Sequence, residues 1–238
     1  MDSLNKVIGI SLWRRPLYTE RIINALLRCD GIEDYHVIIG LDHGADPAVV
    51  ALAKEARFET KEILPPDKKR NCNGNIRRTL TRAFDLSDYV IHIEDDILVA
   101  KDTLRYFEWA RQFGVRKDVY SASAWRHDKG WLPDQKQPKP SSEESKVGTQ
   151  CYFTCWGFAY WKDRFNEALK NWPADGQDMT KSWCVHNSEV KGKRVEVLPH
   201  ISRVQNIGEE LGTHRGAALN SFWIEDNGAD FDGNYKLG

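Results

Sequence analysis

Short, β-rich apolar runs alternate with amphipathic helical stretches through the first half of the chain. No other feature limits the fold as much. The runs are "KVIGISL" (6–12), "YHVIIGLDHG" (35–44), "FETKEIL" (58–64), "YVIHI" (89–93) and "VYSASAW" (119–125). Between them lie "YTERIINALLRC" (18–29), "PAVVALAKEA" (47–56), "NIRRTLTRAFDL" (75–86) and "KDTLRYFEWARQF" (101–113). Ile22, Ile23, Leu26 and Leu27 share one helical face, as do Ile76, Leu80, Ala83 and Phe84. Strands alternating with helices predict an α/β fold with a mainly parallel sheet. In such sheets ligands bind beyond the carboxyl ends of the strands.

The fourth run has an unusual ending. In "YVIHIEDDILVA" (89–100) three consecutive acids, Glu94, Asp95 and Asp96, interrupt an apolar segment that then resumes. Carboxylates crowded against a core repel one another and lose hydration, so something positive should compensate them. A divalent cation is the natural candidate. Asp42 falls at the end of the second run, also at a strand terminus.

Composition narrows the partners. The 238 residues carry a net charge of −1, which provides no overall field for nucleic acid or an anionic membrane. Local basic runs, "PDKKRN" (66–71) and "KGKR" (191–194), read first as solvated loops. The five cysteines, Cys29, Cys72, Cys151, Cys155 and Cys184, are scattered and lack zinc-ligand spacing. Free thiols, a polar start "MDSLNKVIGISLW" and no run of membrane-spanning length predict a soluble, cytoplasmic protein without a membrane partner.

The second half differs. Residues 133–148, "PDQKQPKPSSEESKVG", read as a Pro/Ser-rich loop, and "CYFTCWGFAYWKDRF" (151–165) is dense in aromatics. "KRVEVLPHISRVQNIG" (193–208) reads as a strand followed by a polar segment ending in glycine.

Four blocks carry a family resemblance. "VIHIEDDILVAKDTLRYF" (90–107), "SASAW" (121–125), "KNWPADGQD" (170–178) and "LPHISRVQNIGEELGTH" (198–214) occur in this order. Together they resemble the GT-A glycosyltransferases, most closely the N-acetylglucosaminyltransferase I type, to which protein O-mannose N-acetylglucosaminyltransferase is related. The resemblance implies a single GT-A, Rossmann-like domain over 1–238. Residues 1–125 would bind the nucleotide sugar, and 150–238 the acceptor.

Carried over position by position, Asp96 is the direct ligand of Mn²⁺ or Mg²⁺, and His214 is a second candidate ligand. Asp95 and Glu94 lie beside the donor sugar and behind the metal. Arg15, in "WRRP", faces the diphosphate or nucleoside, and Asp42 the nucleoside. Asn75 stands where the family has a histidine near uracil. Asp178 stands where the family has its catalytic base, although Gln177 replaces the aromatic that precedes that acid.

Each position has a plainer alternative. Arg15 could cap the first loop, Asp42 could be a turn residue, His214 a surface histidine and Asp178 a loop acid. The tryptophans Trp156, Trp161 and Trp172 could be core rather than a sugar platform.

The implied reaction is an inverting transfer of GlcNAc or a related hexose from a UDP-sugar to an acceptor hydroxyl. Segment 199–214, with Gly208 and Gly212 as pivots, would fold over the donor. The acceptor could be a glycan, a protein or a hydroxymethylated base in DNA. The last would need a basic groove, for which "DKKR", "KGKR" and Arg126 are candidates. A nucleotidyltransferase is a rival, but "SLWRRP" stands where it would want a Gly-rich phosphate loop. A non-catalytic sugar-binding module is the rival of another class, and would release no UDP.

Overall fold

A computed structural model of the chain describes residues 6–68, 70–126, 146–174 and 182–208, and the backbone of 236–237. Four parallel strands form one side of a nine-stranded sheet: β1 (Val7–Leu12), β2 (His36–Leu41), β3 (Thr60–Leu64) and β4 (Tyr89–Glu94). All six residues of β1 are buried, as a parallel strand covered on both faces requires. Ile8, Ile10, Ile38 and Ile39 are fully buried, and each such side chain contributes about 1.5–3 kcal/mol relative to exposure.

The crossovers are the expected helices. α1 (Pro16–Leu27) starts on a proline, whose fixed φ suits the first helical turn. α2 (Pro47–Glu55) is capped by Asp46, which accepts from the Ala48 N–H, and Lys61 donates to carbonyls at its far end. α3 runs over Asn71–Leu86, a full turn earlier than the periodicity predicts. Asn and Gly are weak helix formers, yet Asn73, Gly74 and Asn75 are buried there, and the two asparagines are bonded to distant segments. α3 packs close on β2: a Cβ on Gly40 would lie 1.9 Å from Thr79 Oγ1.

The rest of the sheet is mixed. β5 (Ile97–Val99) leaves it, and α4 (Thr103–Ala110) leads to β6 (Val119–Ser123). β7 (Lys146–Gln150), β8 (Phe158–Trp161), α5 (Lys162–Leu169), α6 (Trp183–Lys191), β9 (Val195–Pro199), β10 (Val204–Asn206) and β11 (Lys236–Leu237) follow. The strand order is β11-β7-β9-β6-β8-β4-β1-β2-β3, and β10 pairs antiparallel with β5 in a separate ribbon. The fold is therefore α/β with a mostly parallel central sheet. β8 inserts antiparallel between β4 and β6, so the aromatic-rich segment supplies core. Trp161 and Trp172 are buried, and Trp156 packs edge-on against Trp125.

The described part of the segment expected to fold over the donor, 199–208, is packed into the folded core. Ile201, Ser202, Arg203 and Val204 are buried, and Arg203 Nε donates to Asp102 Oδ2 at 2.7 Å. Gly212 lies outside the described residues. Some of the basic side chains are engaged locally. Lys191 and Arg194 donate to carbonyls at the end of α6, and Arg126 donates to the His200 carbonyl. Among the described residues, no helix is long and apolar enough to cross a membrane.

Glu196, fully buried in β9, accepts from Ser121 Oγ, Gln150 Nε2 and the Thr154 N–H. Burial pushes its carboxyl up to about 7, against the pull of those donors. The folded state therefore binds its proton more tightly than the unfolded chain does. This lowers stability as pH rises from the unfolded carboxyl value toward about 7, with the full cost, about 1–3 kcal/mol, present above that. Glu196→Gln, which keeps an acceptor for Gln150 and Thr154 and can donate to Ser121, is expected to raise the melting temperature at pH 8 and leave it unchanged at pH 4. Thermal melts at the two pH values check this.

Candidate active site

The order β3-β2-β1-β4 reverses at β1: the chain first steps outward to β2 and β3, then returns to lay β4 on the other side. Loops leaving the carboxyl ends of β1 and β4 therefore diverge and open a crevice. Arg15 lies on the loop after β1. Glu94 closes β4 opposite Ser11, and Asp95 and Asp96 form the turn into β5.

Across this crevice Arg15 Nη1 donates to Asp96 Oδ2 at 2.7 Å, and its Nη2 stands 3.6 Å from Asp95 Oδ1. Burial works against the guanidinium's charge, but Asp95 and Asp96 outweigh it and its pKa is raised. Arg15 is thus more than a loop cap. One cation nevertheless faces three acids. Burial pushes Asp95 up to about 6, with Arg15 pulling it back and Asp96 adding to the rise. Burial, then Asp96 and Asp95, push Glu94 well above the usual carboxylate range.

The other walls come from three places. Asp42, buried at the end of β2, accepts from the His43 N–H, as a turn aspartate does. Its loop is stitched to the first: Trp13 Nε1 donates to the His43 carbonyl, Arg14 Nε to the Gly44 carbonyl. Trp13 is 37% exposed, an indole at the mouth of the crevice that carries no motif signal in the sequence. Asn75 is buried in the first turn of α3. Its Nδ2 donates to the Gly40 carbonyl and its Oδ1 accepts from Arg78, so both ends of the amide are engaged.

Behind Glu94 the structure gathers side chains with no sequence signal. Cys72, Cys155 and Cys184 come from three separate segments and lie within the influence of its carboxylate. A hydrogen bond to Cys184, burial and Glu94 keep the Cys155 thiol protonated. His92, two residues back on β4, bonds Ser11 Oγ at 3.1 Å and is pushed down to about 3 by burial, so it stays neutral.

Segment 204–208 buttresses the acid turn. The Ile207 N–H donates to the Asp96 carbonyl at 2.8 Å, and a Cβ on Gly208 would sit 2.6 Å from Asp96 Oδ2. Only glycine leaves that carboxylate its place. If Asp96 holds a divalent cation with a nucleotide, Gly208→Ala is expected to keep the melting temperature but weaken that binding about 10–100-fold, as measured by calorimetry.

The structure thus brings Arg15, Glu94, Asp95 and Asp96 together, with Asp42 and Asn75 on neighbouring elements. Asp178 and His214 lie outside the described residues. Among the described residues, no group of three or more His, Cys, Asp or Glu side chains is arranged to hold a metal ion.

No protein-family model and no curated protein matches the chain in sequence. Solved structures match its fold. The mannosyltransferase PcManGT from Pyrobaculum calidifontis, in complex with GDP-Man and Mn²⁺, aligns with a TM-score of 0.52 at 13% identity, over 85% of this chain and 58% of that one. S. aureus TarS 1-349 aligns with a TM-score of 0.57 at 12% identity, over 86% and 61%. Its complex with UDP-GlcNAc gives 0.53 at 11%, over 84% and 57%. The chain spans about three-fifths of each matched structure, and its fold is the GT-A-like α/β fold they share.

Proposed function

We propose that the chain is a metal-dependent, inverting glycosyltransferase that moves GlcNAc or a related hexose from a UDP-sugar to an acceptor hydroxyl. The observation that carries this reading is the meeting of Arg15 with Asp95 and Asp96 at the switch point of this fold. It is supported by the neighbours' own ligands, GDP-Man with Mn²⁺ in one and UDP-GlcNAc in another. The preference for UDP rests on the resemblance of the sequence blocks.

The acids suit a hard divalent cation. Even with Glu94 held toward its protonated form, Asp95 and Asp96 against one guanidinium leave negative charge to neutralise, and oxygen is the donor such ions take. Ions of this kind bind through one or two carboxylates plus substrate phosphates, so a protein cage of three ligands is not required. Asp96 would hold it, with Asp95 and Glu94 behind and His214 as a further candidate. When bound, it offsets the charge of the departing nucleoside diphosphate.

The chain's own residues do the rest. Arg15 exchanges Asp96 for a diphosphate oxygen when the donor enters, a move its position across the crevice allows. Residues 1–125 hold the nucleotide and residues 150–238 the acceptor. Asp178 takes the proton of the acceptor hydroxyl as that oxygen attacks the anomeric carbon. The bond from that carbon to the diphosphate breaks on the opposite face, so the configuration inverts.

Incubating the protein with UDP- and GDP-sugars and Mn²⁺, alone and with candidate acceptors, and measuring nucleotide release tests the reading. Release from a UDP-sugar is expected. Binding without release under every condition would make the chain a sugar-binding module instead.

A further inference from the structure

The first turn of α3 carries a second tie that no motif signals. Asn73 is 6% exposed, and three of its atoms reach the second half of the chain. Its carbonyl accepts from Trp172 Nε1 at 2.9 Å, its Nδ2 donates to the Ala174 carbonyl at 3.3 Å, and its Oδ1 accepts from the Trp183 N–H at 2.9 Å. One asparagine thus fastens the chain both before and after residues 175–181.

Those contacts are themselves fixed to the core. The Trp172 and Trp183 rings lie parallel within 9°, with centroids 6.3 Å apart. Trp183 packs on Phe158 and on His92, the residue two positions before Glu94. On the other side of the same turn, Cys72 lies in the field of Glu94, Asp95 and Asp96, and Asn75 grips the end of β2 through Gly40. Asn71, at the start of the turn, has φ +57°, a left-handed conformation that asparagine tolerates and most residues do not. The turn is built to hold Asn73 at this point.

We propose that Asn73 is a positioning residue: it holds Trp172, Ala174 and Trp183 in register with the carboxylate crevice and so ties the acceptor half to the donor half. The role needs one side chain that donates to a carbonyl and accepts from an N–H at once. An amide of this length does both; leucine of similar size does neither. The proposal rests on the glycosyltransferase reading for its effect on turnover, but not for the tie itself.

Asn73→Leu separates the two. Hydrogen exchange is followed on peptides covering 170–174 and 182–188, together with UDP–Mn²⁺ affinity and UDP release from the best donor. Faster exchange in both peptides, unchanged UDP affinity and turnover lower by about 10²-fold are expected, the cost of a misplaced reacting group. Wild-type turnover, or turnover and UDP affinity falling together, would overturn the proposal. If the wild-type protein binds no nucleotide sugar, the glycosyltransferase reading fails and exchange alone decides: unchanged exchange overturns the tie. Should the leucine variant not fold, Asn73→Ser removes the bond to Ala174 and is read in the same way.

Discussion

Asp96→Asn is expected to lower the proposed sugar transfer by about 10³-fold or more while leaving the fold intact, because the metal ligand proposed at Asp96 would carry several kcal/mol of the catalytic effect. The side chain sits on a turn, 17% exposed, and among the described residues its strong partner is Arg15. Asparagine has the same shape and keeps a carbonyl oxygen for Arg15, so the turn is not disturbed. What disappears is the charge that a hard cation requires. Stability has two opposing terms: a weaker bond to Arg15, and relief of the repulsion that Asp96 exerts on Glu94 and Asp95. They offset each other, so the melting temperature should hardly move. Glu94→Gln should be far milder, since burial and its neighbours already hold Glu94 toward its protonated form, which glutamine mimics. Transfer assays with Mn²⁺ and with EDTA, beside thermal melts of both variants, check the contrast. Turnover at the wild-type level in Asp96→Asn, or turnover indifferent to EDTA, would remove the metal from the mechanism.

The parts legible in the sequence are those written in local periodicity. The parallel strands and their helices follow from runs and faces, and the acid triplet stands out because it contradicts the apolar pattern around it. The strand order beyond β4 does not follow. β8 reads as an aromatic run with no alternation, and only packing puts it antiparallel between β4 and β6. Gly208 and the polar residues near it suggest a loose segment, yet Arg203 is buried by a bond to Asp102 about a hundred residues away. The first turn of α3 fails by propensity and forms because distant groups satisfy it, Ala174 and Trp183 among them. The three thiols beside Glu94 come from three segments whose spacing carries no pattern. Long-range polar contacts leave little trace in one sequence, since each partner alone looks ordinary.

Asp178→Asn is the second large effect expected, a loss of about 10²–10⁴-fold in turnover from removing a general base. Two arguments meet at this residue. Its place five positions after Pro173 is where the family that the sequence blocks resemble has its base, and the proposed inverting transfer would need one carboxylate on the acceptor side, apart from the proposed metal ligands. The structure adds a constraint on its neighbours. Ala174, four residues before it, is bonded to Asn73, and Trp183, five residues after it, donates to Asn73 and packs on His92. Asparagine keeps the size and the hydrogen bonding but cannot take the proton. UDP affinity should survive, because Arg15, Asp42 and the acid triplet belong to the first half of the chain. The decisive comparison is UDP affinity against turnover in this one variant. Turnover that does not change would move the base elsewhere, with Asp175, Glu209 and Glu210 next in line. Loss of UDP binding would assign Asp178 to the donor instead of the acceptor.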